Sequence, residues 1–174
     1  MPKLIKNGLV IDDAAAILVL DETQAPEALD LPAGPVFVPF AVWQAHKGQL
    51  AGQAGVGVWL DSHENVEELA ADLDELPAIA LNFPKFTDGR AYSAAALLRT
   101  RLGYKGEIRA IGEVLRDQFF FMQRCGFDAI QPKAGKYSDA QLEEALASLK
   151  DFSTPYQAAV DQPEPLFRRA TRSA

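Results

Sequence analysis

Cysteine and histidine are scarce in this chain of 174 residues. A single cysteine, Cys125, excludes an intramolecular disulfide framework and a four-cysteine iron–sulfur cluster. The two histidines, His46 and His63, lie far apart, and no CxxC, HxH or HExxH pattern is present, so no metal site is predicted. Cys125 precedes Gly126, as is typical of a helix C-terminus, and both a structural and a reactive role for the thiol stay open.

Long apolar runs and an overall basic charge are also absent. No segment approaches the roughly 18 apolar residues of a membrane span, and the first residues lack the apolar run of a signal peptide, so we expect a cytoplasmic protein without a membrane partner. With a net charge of −7 and a pI near 4.8, nucleic acid is not an expected partner. Neither a P-loop nor a GxGxxG motif follows a predicted strand, and no cofactor is identified.

Charge is distributed unevenly along the chain. Residues 1–82 carry three Lys or Arg against thirteen Asp or Glu, whereas residues 83–124 carry eight against four. A local reversal of this size favours a site for an anion or for an acidic partner. We therefore expect the functional residues in the basic block, and we expect its cations to meet at one edge of the folded domain.

Apolar patterning predicts an α/β fold. Asn7-Gly8 between two short apolar runs is typical of a β-hairpin, placed within residues 1–20. Five strand-then-helix units follow, which predict a parallel sheet, either an open three-layer sheet or a half-barrel. Residues 1–150 form the predicted domain, and 151–174 a tail that is extended or disordered. The five predicted strand and helix pairs are 36–38 with 41–50, 56–60 with 66–73, 78–81 with 92–102, 108–111 with 114–125, and 128–130 with 141–149.

Ligands of such sheets meet the carboxyl ends of the strands, which makes the loop PKFTDGRAYS a candidate anion site. Its backbone N–H groups and cations would bind the anion, or Asp88 or Thr87 would cap the following helix while Lys85 and Arg90 face water. In the segment after another strand, Ser62 is the expected N-cap and His63 has no predicted catalytic role. The residues of the predicted loop site are Lys85, Thr87, Gly89, Arg90 and Ser93.

Arg109 is unusual because it interrupts EIRAIG, an otherwise apolar strand. A guanidinium there must be paired or must face a polar cavity, since a buried charge without a partner is very costly. Asp117 or Glu113 would be its structural partner, a ligand would be the alternative, and an edge strand would remove the problem. In an enzyme, Asp88 or Asp117 would serve as acid or base beside Arg109.

The predicted helix VLRDQFFFMQRC completes the basic block. Arg116 and Arg124 lie on one face and join the predicted anion site. Three consecutive phenylalanines cannot all enter one core, so at least one meets another element of the chain, a ligand or a second copy in a homodimer.

Two stretches, FPKFTDGRAYSAAALLR and GEIRAIGEVLRDQFFFMQRCGFDAI, together with the hairpin, resemble an uncharacterised bacterial family, a domain of unknown function described as an oxidoreductase of sulfite reduction and encoded near sulfite reductase. The resemblance covers about residues 1–150. It implies a pathway, with the sulfite reductase haemoprotein or another enzyme of sulfate assimilation as partner, and it supplies no catalytic residue.

The predicted function is an accessory protein or oxidoreductase of assimilatory sulfite or sulfate reduction that binds a small oxyanion, or an acidic surface of the reductase, through its basic site. The alternative is a small half-barrel enzyme that performs Asp and Arg acid–base chemistry on an anionic metabolite. A flavin-binding partner is a third hypothesis.

Overall fold

The computed structural model describes residues 3–21, 24–28, 33–150, 152 and 154–169. The strands are β1 (Lys3–Lys6), β2 (Leu9–Asp12), β3 (Ala16–Ile17), β4 (Val36–Pro39), β5 (Val56–Leu60), β6 (Ala78–Phe83), β7 (Glu107–Gly112) and β8 (Ala129–Pro132). The helices are α1 (Phe40–Leu50), α2 (Arg90–Thr100), α3 (Phe119–Cys125), α4 (Asp139–Ala145) and α5 (Leu166–Arg169), with 3-10 turns at Pro26–Ala28, Val66–Leu69, Leu73–Glu75, Arg116–Gln118 and Leu146–Lys150. Among the described helices, none is long and apolar enough to cross a membrane.

All eight strands form one curled sheet in the order β2-β1-β8-β7-β6-β5-β4-β3. Strands β3 to β8 run parallel, whereas β1 is antiparallel to both β2 and β8. The predicted α/β fold is confirmed, and of its two architectures the half-barrel is the one that forms. The hairpin is confirmed as well: Asn7 and Gly8 both have positive φ, at 50° and 76°, which a type I′ turn requires.

The connection between β2 and β3 shows why the sheet must curl. These strands lie at opposite edges of the sheet, yet residues 13–15 are all that joins them. Four Cα steps span at most about 15 Å, whereas seven interstrand spacings in a flat sheet would separate the edges by about 34 Å. The two edges therefore approach each other, and residues 13–15 cross the concave face.

Successive side chains along each strand point to opposite faces of the sheet, and each face carries its own apolar core. The convex face packs against the helices through side chains such as Ile79, Ile108 and Ile130. The concave face carries a smaller apolar cluster, in which Ala15 of the crossing segment is buried. The other members of this concave cluster are Phe37, Ala80 and Ile111, with Ile17, Trp59 and Ala78 packed against them.

The acidic segment after β5 differs from its prediction. A helix was expected over residues 66–73, but two 3-10 turns form, and the first is capped by Asn65, whose side chain accepts from Glu67 N at 3.0 Å, so Ser62 is not the cap. Asp72 explains the interruption. Its buried carboxylate accepts from Trp43 Nε1 at 3.0 Å and pairs with Lys47, which binds this segment to α1.

Of the predicted tail, residues 152 and 154–169 are described, and 151, 153 and 170–174 lie outside the described residues. Val160 N donates to Arg124 O at 3.0 Å, so this part of the tail contacts the end of α3. It includes α5, which Arg169 connects to the preceding segment by donating to Pro155 O at 3.0 Å.

Arg99 joins several elements at the amino end of the sheet. Its guanidinium donates to the carbonyls of Gly126, Tyr104 and Gly106 at 3.1, 2.8 and 2.8 Å and pairs with Asp128. Because three of these acceptors are backbone carbonyls in turns, one side chain fixes the turn before β7 and the turn before β8 relative to α2.

We expect Arg99→Met to destabilise the fold by about 2–4 kcal/mol, because the carbonyls and Asp128 would lose their donors while partly buried. Urea unfolding followed by circular dichroism measures this difference. Arg101→Met is the matched control, since Arg101 is exposed and its only ion-pair partner in the described residues is Glu67 at 3.8 Å. Equal stability of the two variants would contradict the role given to Arg99.

Candidate functional site

Arg109 lies on the concave face of β7, with 5% of its surface exposed. Its Nε donates to Glu107 Oε1 at 2.7 Å, and its Nη1 pairs with Asp13 and donates to Gln131 Oε1 at 2.9 Å. The guanidinium also lies over the Phe37 ring, 4.5 Å from the centroid. These carboxylates differ from the expected Asp117 and Glu113, and β7 is a central strand of the sheet.

A cavity of about 550 Å³ opens beside Arg109 at the amino ends of the parallel strands. At the carboxyl ends, where ligands were expected, the cavity beside Arg90 measures about 50 Å³. In the wall of the larger cavity, Gly57 allows the Phe37 ring to pack closely against the backbone: a Cβ at Gly57 would lie 2.6 Å from this ring and 2.9 Å from Ala78 O. Its charged and polar lining residues are Lys6, Asn7, Asp13, Lys105, Glu107, Arg109 and Asp128.

Charges alternate along the wall of this cavity. Lys6 Nζ lies 2.5 Å from Glu107 Oε2, Glu107 holds Arg109, and Arg109 holds Asp13. Both carboxylate oxygens of Glu107 are thereby occupied. Within the part of the chain that the structure describes, several polar side-chain groups of the wall have no hydrogen-bond or ion-pair partner. They include Arg109 Nη2, Asp13 Oδ1 and Lys105 Nζ, together with Asp128 Oδ1 and the Asn7 side-chain amide.

The loop before α2 has a different arrangement. Asp88 Oδ1 accepts from Arg90 N at 3.2 Å, so an internal carboxylate occupies the start of this helix. The Arg90 side chain binds the same carboxylate and holds the pKa of Asp88 well below its usual range, and its Nη2 also donates to Ser62 Oγ at 2.8 Å. Gly89 is the N-cap residue of α2, and Asp88 accepts from the N–H of the first helical residue. Arg90 does not simply face water, since it binds both Asp88 and Ser62.

Other residues near this loop are exposed or locally bonded. Lys85, Thr87, Gly89 and Ser93 are exposed, and Lys85 Nζ has no partner among the described residues. His63 Nδ1 lies 3.5 Å from Asp61 and is mostly exposed.

The remaining predicted cations bind elsewhere. Arg116 Nε donates to Ser148 Oγ at 2.7 Å, while Arg124 donates to Gln157 O at 2.6 Å and lies 3.6 Å from Asp161. In the described residues, no ion pair or hydrogen bond links Arg90, Arg109, Arg116 and Arg124 to a common partner. The expected meeting of these cations at one edge is not observed, and Asp88 and Asp117 do not contact Arg109. Anion binding by the individual residues stays a prediction.

The three phenylalanines of α3 point in different directions. Phe119 is fully buried, and Phe120 packs on Phe152 of the tail with ring centroids 5.2 Å apart. Phe121 contacts the Tyr92 ring at 4.9 Å and leaves 51% of its surface exposed. Contacts within the chain therefore account for all three, and a homodimer stays a prediction.

Sequence reasoning missed Asp13, Lys6 and Lys105. Lys105 lies just before β7, at the amino end of the sheet, whereas ligands were expected at the carboxyl end. Lys6 and Asp13 come from the hairpin region, far in sequence from the basic block. A signal was available for Glu107, because a period of two residues places it on the same face as Arg109.

The protein is thus an α/β half-barrel with a charged cavity on the concave face of its sheet. Residues 57–167 match a family model described as "Bacterial protein of unknown function (DUF934)". This match covers more than half of the chain, and the protein belongs to that family. It includes Lys105 and Arg109, whereas Asp13 precedes it. No curated protein and no solved structure matched in the other two comparisons.

Cys125 offers a test of its surroundings, because it is the single thiol. Burial raises the pKa of the Cys125 thiol to about 11, although the nearby Arg124 opposes this shift. We expect a thiol-specific reagent at pH 8 to modify the native protein about 100-fold more slowly than the urea-unfolded protein, since the thiolate is the reactive form. Cys125→Ser supplies the blank. Equal rates in both states would contradict a structural role.

Proposed function

We propose that the protein is a cytoplasmic accessory protein of assimilatory sulfite reduction, which binds a small oxyanion in the cavity beside Arg109. The pathway rests on the resemblance of the segments around DGRAYS and RCGFDA to the sulfite-reduction family. The binding site rests on one observation: a buried guanidinium that lines a cavity and keeps its Nη2 N–H groups free of partners in the described residues.

Guanidinium groups suit this task, because their N–H donors match the spacing of oxyanion oxygens. Phe37 and Glu107 hold the guanidinium in place, so little side-chain freedom is lost when a ligand binds. Lys105 at the exposed rim adds a second cation. A cavity of about 550 Å³ exceeds the size of sulfite or sulfate, which leaves room for an oxyanion that is part of a larger molecule.

Docking to the reductase is the second part of the proposal. The sulfite reductase haemoprotein, or another enzyme of sulfate assimilation, is the proposed partner. Lys85 and Arg116 lie on exposed positions of the basic block, where they can contact an acidic surface. In this arrangement the protein would bring its oxyanion to the enzyme that consumes it.

An enzyme acting on an anionic metabolite is the second candidate function. It is favoured by the two carboxylates, Asp13 and Glu107, that contact Arg109 in the same cavity. A carboxylate beside a bound anion can exchange a proton with it. This candidate would require turnover of a carboxylated, phosphorylated or sulfated compound that Asp13→Asn abolishes.

Calorimetric titration of the purified protein with sulfite tests the oxyanion site. We expect binding that Lys105→Gln weakens about three- to tenfold, because a partly desolvated charge contributes about 1 kcal/mol to anion binding. Lys150→Gln is the matched control, since Lys150 is exposed and does not line this cavity.

Lys85→Gln locates the site independently. If it weakens binding and Lys105→Gln does not, the anion binds at the loop before α2 rather than in the cavity. Failure of sulfite, sulfate and nucleotide sulfate to bind at all would reject the oxyanion function.

A further inference from the structure

Building on the proposed oxyanion site, we infer that the cavity selects an oxyanion that still carries a proton, hydrogensulfite in the proposed pathway, over fully deprotonated sulfate. Asp13 is the residue that determines this specificity. Asp13 faces the side of the ligand that carries the proton, whereas Arg109 and Lys105 bind its oxygens.

The free atoms beside Arg109 are one donor group and one acceptor. Asp13 binds Arg109 through Oδ2 and Nη1, which leaves Oδ1 on the carboxylate and Nη2 on the guanidinium without partners in the described residues. The two free groups belong to one ion pair, and both residues line the same cavity. A ligand that accepts from Nη2 and donates to Oδ1 satisfies both at once.

A proton-bearing oxyanion meets this requirement, since it has both acceptor oxygens and one O–H donor. Sulfate has acceptors alone, so one of its oxygens would face Asp13 Oδ1 and repel it. Sites that are built to hydrogen-bond a ligand O–H discriminate strongly against an analogue that lacks it, because the buried acceptor is left unpaired. The Asp13 carboxylate thereby disfavours the binding of sulfate.

Glu107 has a different role from Asp13. Its two oxygens are bound by Arg109 and Lys6, so it positions the guanidinium and has no oxygen left for the ligand. Asp128 also lines the cavity, but it pairs with Arg99. Asp13 is therefore the carboxylate that is paired with Arg109 and still has a free oxygen for the ligand.

Asp13 is also held in place. It lies on the segment that crosses the concave face, two residues before the buried Ala15 and three before Ala16, whose N–H donates to Pro35 O at 3.0 Å. With the backbone fixed two and three residues away and the side chain paired with Arg109, the carboxylate stays beside the cavity when a ligand enters.

Inorganic phosphate and sulfate form a matched pair of probes, because both are tetrahedral and only phosphate keeps a proton near neutral pH. We expect the wild-type protein to bind phosphate at least tenfold more tightly than sulfate in calorimetric titrations at pH 7. Sulfite should bind more weakly as the pH rises from 6 to 8, since it loses its last proton in this range. These measurements require no variant.

Asp13→Asn should reduce the ratio of phosphate affinity to sulfate affinity at least tenfold. It should also strengthen sulfate binding, because the amide N–H can donate where the carboxylate only accepts. Asp12→Asn is the control, since Asp12 is the exposed neighbour and does not line the cavity. Circular dichroism and thermal melting establish that each variant is folded.

The outcomes separate the two proposals. If sulfate binds as tightly as phosphate while Lys105→Gln still weakens both, the specificity inference is wrong and the oxyanion function stands. If Asp13→Asn is folded and leaves the ratio unchanged, Asp13 is not the discriminating residue. If no oxyanion binds, the oxyanion function is itself rejected.

Discussion

The ion pair between Asp13 and Arg109 connects the segment that joins the two edges of the sheet to a central strand beneath it. Arg109 is tolerated inside an apolar strand because carboxylates, an amide and an aromatic ring surround it. The segment that carries Asp13 must cross the concave face, because three residues are too few to go around it. The Asp13–Arg109 contact therefore belongs both to the segment that closes the sheet and to the wall of the cavity. Asp13 thus contributes to the curvature of the sheet and to the shape of the site.

Local signals in the sequence were sufficient for much of the fold. Asn7-Gly8 predicts its turn because the required backbone angles are a property of those two residues, and the strand and helix rhythm predicts the parallel sheet. The segment over residues 66–73 failed because a tertiary contact, the burial of Asp72 against Trp43 and Lys47, decided its conformation. Such a contact joins residues far apart in the chain, and a helical apolar pattern does not contain it.

The site was predicted only in part, for a similar reason. Arg109 stood out because a charge within an apolar strand needs an explanation. Its partners did not, since Asp13 reaches it through the closure of the sheet. The basic block is continuous in sequence but not in space: each strand-then-helix unit sends successive residues to opposite ends of the sheet. Its arginines accordingly bind different partners, as Arg90 binds Asp88, Arg99 binds Asp128 and Arg124 lies near Asp161.

The pairing of β1 with β8 has a consequence for synthesis on the ribosome. Ile5 of β1 lies opposite Ile130 of β8. One hydrogen-bonding edge of β1 therefore has no partner strand until β8 has been synthesised. Until then the nascent chain exposes an unpaired edge, and contacts of such long sequence separation form slowly. Completion of the native sheet is therefore a late event, and the growing chain carries an edge open to strand pairing until β8 has been synthesised.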